Sequence, residues 1–349
     1  MIEERRLHDV KEAERLIQKC GLSVNYNVDY TVGLFYDDEL IATGSLCGDM
    51  LQMVAVAPDH QGEDLASVVV THLIKHAMET GKNNLCLFTK PEKVNMFVPL
   101  GFNIVAIAKP YAALLEWGRP GIQEYVRDIK AKAKDFDGGS SAIVMNCNPF
   151  TLGHLYLIET AASKSSRVFI LAVQEDISAF PFDVRYKLIC DGTSHLPNVT
   201  VIPGGRYVVS SLTFPSYFTK DTELANAHSA IDVEIFLKHV VPALGITRRY
   251  IGTEPFSPVT EIYNKTMKER LIPAGVEVVE IPRIEKSGMA ISASRVRSLL
   301  SQGNIEDVKE LVPESTYNYL ISESAAPVLD KLKRVKDSIG FLPNSKHLV

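Results

Sequence analysis

The sequence lacks several features that would place a 349-residue chain in a special class. Its five cysteines are scattered and show no CxxC spacing, so neither a zinc site nor a disulfide framework is predicted. The formal net charge is -5, so the basic excess typical of nucleic-acid-binding proteins is missing. No apolar run approaches the roughly 18 residues of a membrane-spanning helix, and the polar N-terminus is unlike a signal peptide. We expect a cytoplasmic protein with reduced thiols that binds neither nucleic acid nor membrane.

Composition and length indicate an ordinary globular protein with more than one domain. The hydrophobic content of 46% and the charged content of 23% are typical of soluble domains. The length favours two or three domains. A change of pattern along the chain predicts an N-terminal α+β domain at residues 1–115, a helical connector at 116–140 and a second domain at 141–349.

Both domains belong to the α/β class by their hydrophobic patterns. The first mixes short strands with amphipathic helices, as α+β units do. Its predicted helices are residues 8–20, 65–79 and 92–100, and its predicted strands are residues 30–36, 39–46, 51–56, 85–89 and 103–108. In the second domain apolar strands alternate with helices, which predicts a doubly wound parallel sheet of the Rossmann type. Its predicted strands are residues 142–146, 168–173, 199–202, 249–251 and 277–281, and its predicted helices are residues 154–163, 183–194, 225–239, 259–271 and 292–302.

The most informative segment of the second domain is a strand followed by a turn and a helix. An apolar run ends in a turn and enters an amphipathic stretch; the turn residues are Asn148, Pro149, Phe150, Thr151, Leu152, Gly153 and His154. The N–H groups and the positive dipole at a helix start favour a phosphate. Gly153 would let the backbone approach phosphates, while His154 and Thr151 would donate hydrogen bonds to them. We therefore predict ATP chemistry, with His154 and Thr151 as catalytic residues and with Asn148, Pro149, Phe150 and Gly153 in the binding turn.

A second candidate phosphate site lies at residues 291–297, which read Ile-Ser-Ala-Ser-Arg-Val-Arg. Ser292 is a predicted helix N-cap, and together with Ser294 and the neighbouring N–H groups it would form an anion-binding nest. Arg297, which we predict as a third catalytic residue, would pair with β- or γ-phosphate oxygens, and the upstream Lys286 could also approach them. The two segments resemble the (H/T)xGH and ISxSxxR signatures of the nucleotidylyltransferase superfamily.

Two further segments that follow strands could complete a ligand site. Residues 252–258 form a loop after a parallel strand, where ligands of such sheets bind, so Gly252 and Glu254 are candidate contacts to ATP. Residues 207–220 are rich in aromatic and hydroxyl side chains. This aromatic stretch could be the wall of an acyl-substrate site, and a packed loop is an equally good interpretation.

In the first domain, residues 54–66 have the pattern of a strand, a turn and a helix start. From Gln61 onwards they resemble the Q/R-x-x-G-x-G/A loop that binds the pyrophosphate of acetyl-CoA in GNAT acetyltransferases. Gly62 and Ala66 suit such a loop, and with Gln61 they are candidate contacts for a CoA-like arm. Asp64 stands where that family has glycine, and its carboxylate would repel a pyrophosphate. The resemblance therefore implies a GNAT fold rather than acetyl transfer by this domain.

His72 and His76 are four residues apart on a predicted helix, which is a spacing that metal-binding histidine pairs use. No third ligand and no HExxH context accompanies them, so an ordinary helix face is the better interpretation. The sequence identifies no protein ligands for a metal ion.

A GNAT-like domain followed by a nucleotidylyltransferase-like domain, with the segments at 148–154, 254–260 and 291–297, resembles the citrate lyase ligase family over nearly the whole chain. The resemblance implies an AMP-forming acid–thiol ligase that uses ATP, Mg²⁺ and acetate. Acetate and ATP would form acetyl-adenylate and pyrophosphate. The thiol of a dephospho-CoA-type prosthetic group, on the acyl carrier (gamma) subunit of citrate lyase, would then accept the acetyl group. The reaction would activate citrate lyase for citrate fermentation.

Two other classes stay open on the sequence alone. The two phosphate motifs also suit an adenylyltransferase that joins AMP to a phosphorylated acceptor, such as a pantetheine phosphate or a mononucleotide. The other class is a protein or small-molecule acetyltransferase whose second domain senses a nucleotide, and Asp64 argues against it. Release of free AMP, formation of a dinucleotide, and turnover of acetyl-CoA without ATP distinguish the three.

Overall fold

The computed structural model describes residues 1–133, 139–174, 178–210, 222–253, 258–286 and 288–339. Its internal contacts divide the chain into two compact units, Met1–Tyr125 and Val126–Val349. The division falls within a helix, Ile122–Lys132, that lies in the segment predicted as the connector. Within the described ranges, no helix is long and apolar enough to cross a membrane.

The first unit is built on a seven-stranded sheet. Its elements in chain order are β1 (Ile2–Leu7), α1 (Glu14–Lys19), β2 (Tyr30–Tyr36), β3 (Glu39–Cys47), β4 (Met50–Val56), α2 (Leu65–Glu79), β5 (Asn84–Thr89), β6 (Asn103–Ala108), β7 (Ala112–Gly118) and the start of α3 (Ile122–Lys132). The strand order is β1-β2-β3-β4-β5-β7-β6, and only the pair β4 and β5 is parallel. Buried side chains of α2, among them Val69 and Leu73, pack on this sheet. The helix predicted at 65–79 and the five predicted strands are confirmed.

Two strands of the first unit were not predicted, and two predicted helices are shorter than expected. β1 is largely exposed and charged at the edge of the sheet, which conceals its strand pattern. β7 is rich in helix-forming residues, but it lies between β5 and β6, and this pairing outweighs its propensity. The helix predicted at 8–20 is a 3-10 turn followed by α1. The helix predicted at 92–100 is replaced by two 3-10 turns, Pro91–Met96 and Val98–Leu100, each of which has a proline in its first two positions.

The second unit alternates strands and helices through most of its length. Its elements in chain order are β8 (Ser140–Met145), α4 (Leu152–Ser163), β9 (Val168–Ala172), α5 (Phe182–Thr193), β10 (Val199–Pro203), α6 (Thr222–Ile235), α7 (Val241–Leu244), β11 (Ile246–Gly252), α8 (Pro258–Leu271), β12 (Glu277–Ile281), β13 (Glu285–Lys286), β14 (Met289–Ala290), α9 (Ala293–Ser301), α10 (Ile305–Val308), α11 (Glu314–Leu320) and α12 (Ala326–Ile339). A π-helical turn, Phe236–Val240, joins α6 to α7, so the helix predicted at 225–239 continues with altered geometry.

The large sheet of the second unit is parallel throughout, with the strand order β10-β9-β8-β11-β12. The predicted α/β class and the doubly wound parallel sheet are therefore confirmed. The strand order reverses between β8 and β11, and the loops after these strands leave the sheet at the same edge. In open parallel sheets this reversal point is where a ligand crevice forms. The first motif follows β8, and Gly252 ends β11.

The chain after β12 brings the second motif to this unit. A two-stranded hairpin of β13 and β14 leads into α9. Val296 and Leu300 of α9 are fully buried, and they pack with Val308 of α10, Leu311 of the turn that follows it, and Leu320 of α11. Burial of this apolar face fixes how α9 is rotated, and the polar residues at its start are thereby left available for the site.

Candidate active site

The first motif forms the turn between β8 and α4. Thr151 is the N-cap of α4 and is 1% exposed. Its hydroxyl accepts a hydrogen bond from the main-chain N–H of His154 (3.4 Å), and Nδ1 of His154 accepts one from the N–H of Thr151 (3.1 Å). This is a capping box in which a histidine takes the place usually held by glutamate or glutamine. Thr151 and His154 therefore hold each other in position before any ligand binds.

The hydrogen bond at Nδ1 determines which nitrogen of His154 can donate. Because Nδ1 accepts the N–H of Thr151, a neutral ring must carry its proton on Nε2. Desolvation in a partly buried position, and then the positive charge of Arg283, lower the pKa of His154 to about 4. The imidazole is therefore neutral at pH 7 and has one N–H donor, at Nε2.

The three residues before the N-cap, 148–150, pack around this turn. Phe150 is fully buried, and its ring lies parallel to that of His154 with the ring centroids 6.0 Å apart. Pro149 is also buried, so the side chains of these two predicted binding residues pack inside the protein. Asn148 is half-buried, and its Oδ1 accepts the main-chain N–H of Phe180 (3.1 Å).

The second motif lies against the first. Ser292 is the N-cap of α9, and its hydroxyl accepts the N–H of Arg295 (3.2 Å). The guanidinium of Arg297 donates through Nη1 to the main-chain carbonyl of Asn148 and through Nη2 to the hydroxyl of Ser294 (3.2 Å). Burial lowers the pKa of Arg297, yet an arginine remains a cation at neutral pH. The structure thus brings together the serine–arginine set and the turn that holds His154.

Gly153 lies at a second place where the two motifs meet. A Cβ atom at this position would lie 2.8 Å from the main-chain carbonyl oxygen of Ile291, which is closer than side-chain carbons come to backbone oxygens. The sequence predicted that Gly153 admits phosphates. The contact shown here is with the protein itself, since the missing side chain lets the start of α4 pack on the segment that leads into α9.

The other residues predicted to contact ATP are not brought into contact with the two motifs in the same way. Gly252 ends β11, and its carbonyl accepts a hydrogen bond from Nδ2 of Asn264 (3.3 Å). The ammonium of Lys286 lies 3.1 Å from a carboxylate oxygen of Glu310, so it would have to leave this ion pair to reach a phosphate. Glu254 lies outside the described residues, and so do residues 211–220 of the aromatic stretch.

The sequence analysis did not identify two arginines that lie at this edge of the sheet. Arg185 of α5 is fully buried and donates to the main-chain carbonyls of Asn146 (2.9 Å), Val173 (2.7 Å) and Phe180 (2.9 Å), which ties together the ends of β8 and β9. Arg283 follows β12 and contacts the turn after β11. The only signal in the sequence was that each arginine is near the end of a strand or the start of a helix in a parallel sheet, which is too weak to select them.

In the first unit, the loop that resembles a pyrophosphate-binding loop leads into α2. Gln61 and Gly62 are exposed, and Ala66 is half-buried in the first turn of the helix. Asp64 is the residue before the helix, has a left-handed backbone conformation, and accepts a hydrogen bond from the hydroxyl of Ser67. Its exposed carboxylate therefore stands at the positive end of α2, where an anionic ligand would otherwise bind.

The histidine pair of α2 is occupied by contacts within the first unit. Nε2 of His72 lies 2.7 Å from the hydroxyl of Tyr30, and its Nδ1 is bonded to Glu4. The ring of His76 stacks on Tyr30 with centroids 3.6 Å apart. Over the part of the chain that the structure describes, no cluster of three or more His, Cys, Asp or Glu side chains could hold a metal. The contacts with Tyr30 and Glu4 account for the positions of both side chains on the helix face.

Comparison with known proteins assigns the family. A model of the citrate lyase ligase C-terminal domain matches residues 140–320. The [citrate [pro-3S]-lyase] ligase of Klebsiella pneumoniae is 39% identical over 313 residues, covering 88% of this chain and 91% of that protein. The ligase of the same name from Escherichia coli K12 is 36% identical over 315 residues, covering 88% and 89%.

The chain belongs to the citrate lyase ligase family. It is therefore an enzyme, and the resemblance drawn from the motifs is confirmed. The domain model covers both motifs, from β8 to the last residue of α11. Solved structures similar to the chain include an IAA acetyltransferase from Bacillus cereus, with 16% identity, a TM-score of 0.29 and coverage of 34% of this chain and 100% of that one. A ribosomal-protein-S18-alanine N-acetyltransferase from Escherichia coli has 18% identity, a TM-score of 0.30 and coverage of 35% and 97%.

Replacing Gly153 tests the packing between the two motifs of this citrate lyase ligase family member. Gly153→Ala should lower the free energy of unfolding by roughly 1–3 kcal/mol, because the new Cβ meets the carbonyl of Ile291. Urea unfolding would measure the loss. Gly252→Ala is the control, since a Cβ at Gly252 meets no atom of the described residues within 4 Å. Equal stabilities of the two variants would contradict the packing role of Gly153.

Proposed function

We propose that the chain is an ATP-dependent, AMP-forming ligase that acetylates the prosthetic-group thiol of the citrate lyase acyl carrier subunit. The relatives are named as ligases of citrate (pro-3S)-lyase, which supports the carrier of that enzyme as the acceptor. The observation that carries the chemistry is the geometry of His154. Its ring is neutral, its Nδ1 is held by Thr151, and its remaining N–H donor is beside a helix start.

The first half-reaction would take place at the α-phosphorus of ATP. A carboxylate oxygen of acetate attacks this phosphorus, the bond to the bridging oxygen breaks, and pyrophosphate leaves with the electron pair. Negative charge spreads over the phosphoryl oxygens as this occurs. The N–H of His154, the hydroxyl of Thr151 and the N–H groups at the start of α4 are donors suited to that charge.

The β- and γ-phosphates of ATP would be held by the second motif. The start of α9 supplies main-chain N–H groups, and Ser292, Ser294 and Arg297 supply polar side chains. The guanidinium already donates to Asn148 and Ser294, so it is oriented before ATP binds. Gly252, Lys286 and Glu254 remain proposed contacts to ATP. The described residues form no metal cage, and a Mg²⁺ ion would be held chiefly by the phosphates of ATP.

In the second half-reaction the carrier thiolate would attack the carbonyl carbon of acetyl-adenylate. The new S–C bond forms as the C–O bond to AMP breaks, so AMP leaves with the oxygen that came from acetate. We propose that the first unit, with Gln61, Gly62 and Ala66 at the start of α2, recognises the CoA-like arm of the carrier. The support for this role is the resemblance of the loop to a pyrophosphate-binding loop.

Acetate-dependent exchange of labelled pyrophosphate into ATP tests the first half-reaction. We expect exchange in the wild type and a loss of roughly 10²–10³-fold in His154→Ala, which lacks one preorganised donor. His195→Ala is the control, because His195 is a half-exposed histidine of the same unit that is paired with Glu159.

Equal exchange in the wild type and in His154→Ala would overturn the role of His154. Exchange that required a phosphorylated acceptor, with a dinucleotide as product, would instead identify an adenylyltransferase.

Asp64→Asn tests the role of the first unit. It removes the negative charge at the start of α2 and retains an acceptor for Ser67, so the KM for the carrier should fall by roughly two- to fivefold while pyrophosphate exchange is unchanged. Steady-state kinetics with the carrier protein would measure the change. Glu79→Gln, at the other end of α2, is the control. The recognition role is wrong if the two variants have the same KM as the wild type.

A further inference from the structure

Residues 178–180 connect the first motif to α12, the last helix of the second unit. Asn148 of the motif turn accepts the main-chain N–H of Phe180 at its Oδ1 (3.1 Å). Ser178 is buried at the other end of this short segment, and its carbonyl accepts a hydrogen bond from Nζ of Lys331 (2.9 Å). A lysine of α12 is therefore bonded to the same segment that bonds the turn after β8.

Asn146, the first residue after β8, joins this segment to the edge of the sheet. Its Nδ2 donates to the hydroxyl of Ser178 (3.2 Å), and its Oδ1 accepts a hydrogen bond from Nη1 of Arg185 (2.7 Å). Three cations thus bond this part of the site, but they differ in exposure. Arg185 is fully buried, whereas Arg297 is half-buried and Lys331 is exposed. Only Arg297 and Lys331 are accessible to a ligand.

The packing of α12 explains why Lys331 lies at this edge. Val328 and Leu332 of α12 are buried together with Phe180 and with the apolar face of α9. Lys331 is three residues after Val328 and one before Leu332, so it lies at the border of the buried stripe of the helix. Its aliphatic stem can follow the apolar surface while its ammonium stays at the solvent boundary. This helix begins after residue 320, where the match to the domain model ends.

The ammonium of Lys331 keeps hydrogen-bond donors for a ligand. An ammonium has three N–H donors, and the carbonyl of Ser178 takes one of them. No carboxylate of the described residues forms an ion pair with Lys331. Lys286 differs in this respect, since its ammonium is paired with Glu310. Of these two lysines, Lys331 is the one that can bind an anion without first leaving a carboxylate.

We propose that Lys331 is a further polyphosphate-binding residue, which α12 supplies to the surface formed by the two motifs. The inference rests on the proposed function, in which the β- and γ-phosphates of ATP lie beside Arg297. Three hydrogen bonds connect the two cations, from Arg297 to Asn148, from Asn148 to Phe180 and from Ser178 to Lys331. The guanidinium is a fixed donor, whereas the ammonium is a point charge on a flexible stem that moves from the carbonyl of Ser178 to a phosphate oxygen.

Equilibrium binding to the full-length protein tests this contact without turnover. Isothermal titration calorimetry would give the Kd values of ATP, inorganic tripolyphosphate and AMP for the wild type and Lys331→Gln. We expect the Kd values of ATP and tripolyphosphate to rise about tenfold, because a charge-assisted hydrogen bond is lost. The Kd of AMP, which has neither a β- nor a γ-phosphate, should not change. Lys331→Arg, which retains a cation, should recover most of the lost affinity.

Lys333→Gln is the matched control for these titrations. Lys333 is a second exposed lysine of α12, and it lies outside the buried stripe of the helix. An unchanged Kd of tripolyphosphate in Lys331→Gln, an equal rise in Lys333→Gln, or an equal rise for AMP would overturn the assignment. Urea unfolding distinguishes a purely structural role, because a less stable Lys331→Gln with the wild-type Kd for ATP would mean that Lys331 only anchors α12.

Acetate-dependent pyrophosphate exchange separates this inference from the proposed function. Lys331→Gln should raise the KM for ATP by about tenfold with a smaller effect on kcat, because the lost contact is made in the ground state and the transition state alike. Exchange with an unchanged KM would overturn the role of Lys331 and leave the proposed function standing. A wild type without exchange, whose tripolyphosphate binding nevertheless depends on Lys331, would overturn the proposed function and leave the binding role standing.

Discussion

The hydrogen bond from Arg297 to the carbonyl of Asn148 joins two segments that are 149 residues apart, and the candidate site depends on it. The bond draws the start of α9 onto the turn after β8, where Gly153 has no side chain to keep the two apart. Each motif alone is a capped helix start, a feature of many proteins. Their contact makes one surface with two sets of N–H donors, which suits a polyphosphate better than a single phosphate.

Main-chain carbonyls hold the arginines of this site in place. Arg185 donates to three carbonyls, Arg283 to that of Thr253, and Arg297 to that of Asn148. A guanidinium fixed in this way requires little reorganisation when an anion arrives, which is the general condition for electrostatic stabilisation of a transition state. The neutral His154 fits the same environment. Burial, and then the positive charge of Arg283, disfavour the protonated imidazole and lower the pKa of His154, so the ring is a neutral donor at pH 7.

Much of this arrangement could be predicted from the sequence, since it is local. The apolar run at β8, the cap at Thr151 and the serine-rich start of α9 are each encoded within a few residues, and the structure has them as helix and strand ends near the predicted positions. Strand β7 was missed because its pairing with β5 and β6 outweighs its composition. Arg185 and Arg283 were missed because they bond main-chain carbonyls. Every residue carries such a carbonyl, so the sequence does not show which ones serve as acceptors. The packing role of Gly153 was missed because its partner, Ile291, is distant in the chain.

The central claim is that acetate attacks the α-phosphorus of ATP at the surface formed by the two motifs. The most direct measurement uses acetate labelled with ¹⁸O in both carboxylate oxygens, together with ATP and the carrier protein, and analyses the products by mass spectrometry. The account predicts one ¹⁸O atom in each AMP released and none in pyrophosphate. Label in pyrophosphate or phosphate, or AMP without label, would mean that acetate is not activated as acetyl-adenylate, and the account would be wrong.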